Sequence, residues 1–109
     1  MKKVLAVTVS VLSLTVVAAP GFCETKAGKV DGKAKFEQLC AACHPEGGNI
    51  IKPDKSIGKK ALAGRGIRKE KDVVAKIRNP GPGMTKFDAK ALPDNEAEAV
   101  AKYILTTFR

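Results

Sequence analysis

Tryptophan is absent from this 109-residue chain, histidine and tyrosine occur once each, and four phenylalanines complete the aromatic set. So few large apolar side chains exclude a thick, self-sufficient core. A domain of this size then depends on an internal staple: a disulfide, a metal or a cofactor. Three cysteines supply little of it as disulfides, because Cys40 and Cys43 stand two residues apart and a bridge between them in a helix would be strained. With one histidine and no second cysteine pair, a four-ligand zinc site is short of donors. Neither a convincing strand pattern nor an internal repeat is present, so the expected class is all-α, with three to four helices. Long hydrophobic runs are missing too. The longest uncharged apolar stretch, Val4 to Ala19, counts 16 residues, short of the ~20 needed to span a bilayer.

What that stretch has instead is the layout of an export signal. Met1-Lys2-Lys3 gives a positive start, the apolar run follows, and small residues come next. Residues 1–23 are therefore expected to be a cleaved signal peptide. Cutting after Ala19 would leave Pro20 at the new terminus, an awkward substrate. Cutting after Gly21 or Cys23 keeps small residues at the scissile positions, and the cut after Cys23 also removes an unpaired thiol. A lipoprotein would retain and acylate Cys23, but such a signal wants a small residue before its cysteine, and Phe22 sits there. The mature chain would be Glu24 to Arg109, 86 residues, of which 24–30 read as a flexible Lys- and Gly-containing lead-in and 31–109 as one domain.

Within that domain Asp31 is a plausible N-cap for a helix running to about Ala42, with Phe36, Leu39, Cys40 and Cys43 on one face and Pro45 as its stop. Residues 46–56 read as a loop. A short helical turn is expected at Lys59 to Ala63, ended by Gly64 and Gly66. Another helix is expected at Lys69 to Arg78 with Val73, Val74 and Ile77 as its buried stripe, ended by Asn79-Pro80. Pro80-Gly81-Pro82-Gly83 is a stiff irregular loop leading to Met84. The last helix starts near Pro93 or Asp94 and runs to about Thr107, with Ala97, Val100, Ala101, Ile104 and Phe108 facing inward.

The staple is written at Cys40-Ala41-Ala42-Cys43-His44. C-x-x-C-H is the attachment signature of c-type haem. Two thiols must sit a vinyl-to-vinyl distance apart, and three residues of helix provide about that separation. The histidine falls four residues after Cys40, so one turn delivers both covalent links and an iron ligand. A redox dithiol would expect a βαβ context that this sequence lacks. The expected cofactor is one covalently attached haem c.

The iron then needs a second axial ligand. His44 is the only histidine, and Met84 is the only methionine besides the initiator. A lone methionine is often a core filler. Here its neighbours are loop-forming, and a thioether is the usual partner of histidine in electron-transfer haems. A lysine amine would first have to lose its proton. His44 and Met84 together would leave no open coordination position, which favours outer-sphere transfer of single electrons. Two other readings stand beside it: a haem sensor whose Met84 is displaceable, and a small peroxidase-like enzyme, which would need an open iron.

Cys40-Ala41-Ala42-Cys43-His44, Gly47-Gly48-Asn49 and Pro53-Asp54-Lys55-Ser56, followed by Asn79, Gly81, Gly83-Met84, Phe87 and Ala99 to Ile104, resemble class I cytochromes c of the c-six type. The resemblance covers about Asp31 to Phe108. The Asn79-to-Met84 run looks most like monohaem cytochromes of metal-respiring bacteria. One departure is Thr85, where a proline often follows the ligand methionine. The resemblance implies a small class I cytochrome c fold around one haem, in an electron carrier and not an enzyme. It implies that Gly32 and Phe36 cross Tyr103 where the first and last helices pack. It also implies that a loop carbonyl near Pro53 accepts the proton on the outer nitrogen of His44, although Pro53 reads equally as a plain turn proline. Asn49 belongs with the supporting residues.

Twenty cationic residues less the two leader lysines, against eleven acidic ones, leave the mature chain at +7. All of that excess lies in Lys52 to Arg78, where ten cationic residues meet three acidic ones. Lys59, Lys60, Lys69 and Lys71 are in part a solvated face, and Lys55 or Arg65 would neutralise haem propionates. The remaining role is a docking patch for acidic redox-partner proteins or an anionic membrane surface. Nucleic acid is excluded by export and by the lack of a recognition motif. A periplasmic monomer is expected, associated with the outer membrane if Cys23 carries lipid.

Overall fold

Helix α1 spans Gly32–Leu39 and starts where Asp31 accepts the Ala34 backbone N–H at 3.1 Å. The computed structural model describes residues 29–109, so the leader, its cleavage and most of the lead-in lie outside the described residues. Helices α2 (Lys59–Gly64), α3 (Glu70–Arg78) and α4 (Asp94–Thr107) follow, with 3-10 turns at Pro45–Gly47 and Pro53–Lys55. Among the described residues there is no strand, and no helix is long and apolar enough to cross a membrane.

The first helix is shorter than its apolar pattern predicts. It ends at Leu39, and Cys40 is its C-cap, not an interior residue. The cause is local: Cys40 N–H and Ala41 N–H both donate to the Phe36 carbonyl, at 2.8 and 2.9 Å, which shifts the ladder out of α register. Pro45 therefore opens a separate 3-10 turn and does not end α1. Helices α3 and α4 match expectation within a residue. Lys69 is the N-cap of α3, and Val73 and Ile77 are buried while Val74 is half-buried.

Helix α4 is the organising element, packed against α1 and α3 and more lightly against α2. Its Ala97, Val100 and Ala101 are fully buried, and Ile104, Leu62, Ile67, Val73, Ile77, Leu92 and Phe36 complete the core. The α1–α4 crossing is close because Gly32 has no side chain. A Cβ there would overlap the Ala99 carbonyl and lie 3.3 Å from Tyr103 Cβ. Phe36 and Tyr103 stack beside it at 5.3 Å, and Phe108 completes a three-ring cluster at 5.2 and 5.7 Å. The crossing expected from the family resemblance is present.

Two exposed carboxylates pin loop and helix starts. Asp72 accepts the Arg68 and Lys69 backbone N–H groups, both at 3.0 Å, and Asp88 accepts those of Ala91 and Lys90 at 2.9 and 3.0 Å. These bonds hold both carboxyls below their ordinary value of 3.8. The folded values are depressed, so the stability these groups add is present above pH 3.8 and is lost as pH falls through the folded values. The Asp72→Asn/Asp88→Asn variant should show a smaller drop in thermal midpoint between pH 7 and pH 2 than the parent chain, measured by circular dichroism.

Candidate functional site

A cavity of about 350 Å³ opens between the end of α1, the 44–57 loop and the segment joining α3 to α4. Small-molecule pockets run from about 300 to 1,000 Å³. Cys40, Cys43, His44 and Met84 all line it, together with Asn49 and Phe36. The four residues singled out for cofactor chemistry, 44 positions apart at the extremes, therefore meet in one space. Gly32, Tyr103 and Pro53 do not reach it; the first two serve the helix crossing behind it.

Cys40 to His44 is a single turn appended to α1. The Cys40 carbonyl accepts the Cys43 N–H at 3.1 Å and the His44 N–H at 2.9 Å, so the one-turn spacing survives although the helix proper has ended. The two sulfurs are not bridged. Cys40 is half-buried and Cys43 exposed, and burial pushes the Cys40 thiol up to about 11. Among the described residues no three His, Cys, Asp or Glu groups converge on a metal position.

The His44 ring is oriented from behind. Its Nδ1 donates to the Gly48 carbonyl at 2.8 Å, which fixes the tautomer and leaves Nε2 with a free lone pair to act as a metal ligand. The acceptor is thus Gly48, not a carbonyl near Pro53. Pro53 opens its 3-10 turn, the plain turn role. The displacement follows from how tightly the chain reverses after His44. Glu46 and Gly47 adopt φ of 53° and 81°, and this brings the Gly48 carbonyl back under the ring. Gly47 is required there twice over, since a Cβ would also come within 2.7 Å of the Phe108 ring.

Asn49 organises the next loop. Its Oδ1 accepts the Ile51 and Lys52 N–H groups at 3.0 and 2.9 Å, and its Nδ2 donates to the Lys55 carbonyl at 3.3 Å. This sets Ile51 against the cavity. Met84 reaches the same space from the α3–α4 segment, behind Gly83 at φ 93°. It is 38% exposed, so it is not a core filler.

Apolar side chains of Leu39, Ile57, Leu62, Ile67, Val73, Ile77 and Ile104 form the cavity wall, and Lys52, Lys55, Arg65 and Lys76 are the cations on it. A flat apolar macrocycle with carboxylate substituents fits this arrangement: two thiols, an imidazole with its outer nitrogen already engaged, a thioether, apolar walls and cations to meet the carboxylates.

Sequence reasoning missed two residues. Gly48 carries no side-chain signal for its role. Arg78 ends the basic segment and carries no further signal in the sequence, yet it is bonded to the Phe87 carbonyl at 3.0 Å and to Asp94 at 2.7 Å.

Residues 28–104 match the family described as cytochrome c oxidase, cbb3-type, subunit III. Cytochrome c6 of Bumilleriopsis filiformis is 34% identical over 76 residues, covering 70% of this chain and 87% of that protein. Cytochrome c6 of Pyropia yezoensis is 33% identical over 108 residues, covering 97% and 94%. Among solved structures, the outer membrane cytochrome OmcF of Geobacter sulfurreducens superposes with a TM-score of 0.70 at 40% identity, covering 72% of this chain and 99% of that one. The helical fold, the cavity and these relatives agree: the chain belongs to the class I monohaem cytochromes c of the c6 type, one-electron carriers holding a single covalently attached haem c.

Proposed function

We propose that Cys40 and Cys43 hold the haem through thioether bonds, that His44 and Met84 are its two axial iron ligands, and that the protein is a carrier and not an enzyme. The convergence of these four side chains on one apolar cavity carries the reading. When bound, the haem supplies a one-electron couple. The protein's part is to keep that couple fast and closed. His44 is held in one tautomer by Gly48, so its donor atom needs no reorientation. Met84, as second iron ligand, would leave no coordination position for a substrate. Apolar walls keep water away and favour the uncharged, reduced side of the couple.

The setting is proposed as periplasmic, after removal of residues 1–23. The export signature at 1–23 supports this, as does the likeness to a protein described as an outer membrane cytochrome. Mass spectrometry of the mature protein tests both parts at once. The expected mass is that of Glu24 to Arg109 plus one haem. Unmodified thiols would refute the attachment, and a retained leader would refute the export.

Partner docking is proposed at the cavity mouth. There Ile51 and Met84 are 55% and 38% exposed, beside Lys52, Lys55 and Lys76. A small apolar contact flanked by positive charge suits brief encounters with acidic partners. The rate of electron transfer to an acidic protein should fall several-fold as ionic strength rises from about 0.01 to 0.15 M, because the screening length shortens from ~30 to ~8 Å. A salt-independent rate would contradict steering.

A further inference from the structure

The segment that presents Met84 has little to hold it in place. Among the described residues the only hydrogen bond inside 80–86 is Met84 N–H to the Gly81 carbonyl, at a long 3.5 Å. Pro80 and Pro82 carry no N–H, and all residues from Gly81 to Lys86 are exposed. Gly83, at φ 93°, is loosely packed: the nearest atom to an added Cβ would be Ile51 Cγ2 at 3.9 Å. The placement of the Met84 sulfur must therefore be set at the ends of the segment.

One side chain joins those ends. Arg78 is the last residue of α3, and its side chain is only 19% exposed. Nη1 donates to the carbonyl of Phe87, three residues past Met84, at 3.0 Å. Nη2 donates to Oδ1 of Asp94, the first residue of α4, at 2.7 Å. A backbone bond from Phe87 N–H to the Ile77 carbonyl, 3.2 Å, closes the same junction. Because the guanidinium is planar and rigid, its two bonds fix Phe87 and Asp94 relative to each other and to the end of α3.

We propose that Arg78 is a positioning residue for Met84: its fork clamps the loop shut so that the thioether stays at the iron. This rests on the reading of Met84 as an axial ligand. It also removes Arg78 from the docking surface. Asp94 is 79% exposed, so the ion pair by itself adds little to global stability; the bond to the Phe87 carbonyl makes the contact a latch on this loop.

Imidazole added to the oxidised holoprotein competes with Met84, and its apparent affinity reports how often the loop opens. Arg78→Gln should tighten imidazole binding about tenfold, since a loop freed of charge-assisted hydrogen bonds opens more often. Arg78→Lys should rescue this only in part, because an ammonium cannot make the fork. Arg68→Gln, an exposed arginine outside the loop, should match the parent chain. An unchanged imidazole affinity in Arg78→Gln would overturn the proposal, as would equal changes in Arg78→Gln and Arg68→Gln, or full rescue by lysine. Should Arg78→Gln fail to fold, Arg78→Lys decides: imidazole binding tighter than in the parent supports the latch, and parental binding refutes it. A parent protein without a methionine–iron charge-transfer band would instead refute Met84 as ligand.

Discussion

Met84→Ala should lose the methionine–iron charge-transfer band in its oxidised form, and its midpoint potential should fall by on the order of 0.1 V, a fraction of the ~0.8 V that axial ligation spans. The thioether stabilises the reduced iron, and alanine offers nothing in its place. Little else should change. Met84 is 38% exposed and lies outside the core, so helix content and thermal midpoint should stay near those of the parent. The reduced variant should also gain carbon monoxide binding, because a coordination position has been opened. Spectroelectrochemistry reads all three effects, and an unchanged spectrum would refute the ligand assignment.

Phe36→Ala should be the most damaging single core truncation, at about 3–5 kcal/mol. Phe36 is 3% exposed, stacks on both Tyr103 and Phe108, and lines the cavity. It also stands one turn before Cys40, and its carbonyl takes the two N–H groups that end α1. For a domain of 60–100 residues such a loss lowers the thermal midpoint by more than ~10 °C. Phe36→Leu should cost much less, since it retains most of the volume. A midpoint within a few degrees of the parent for Phe36→Ala would mean that the three-ring cluster does not support the α1–α4 crossing.

The parts of this fold legible in the sequence are those governed by short-range periodicity. Helix α4 follows from Ala97, Val100, Ala101 and Ile104 at helical spacing, and all four are buried. The route from α3 through Asn79 to Met84 follows from prolines and glycines that admit no helix. Local composition misleads where backbone bonds choose between close alternatives. Cys40 and Cys43 continue the apolar stripe of α1, yet the shared Phe36 carbonyl ends the helix at Leu39. The partner of His44 depends on two consecutive positive φ values at Glu46 and Gly47, and only the glycine advertises one. Arg78 looks like one more cation in a basic segment. Its 16-residue reach to Asp94 is a product of tertiary packing that no spacing rule contains.

The visible spectrum of the intact protein, oxidised and then reduced under carbon monoxide, tests the closed haem site most directly. His44 and Met84 as the two axial ligands require a methionine–iron band in the oxidised form and a reduced spectrum that carbon monoxide leaves unchanged. Absence of that band, or ready binding of carbon monoxide at neutral pH, would contradict the carrier site and point to a sensor or an enzyme with an open iron.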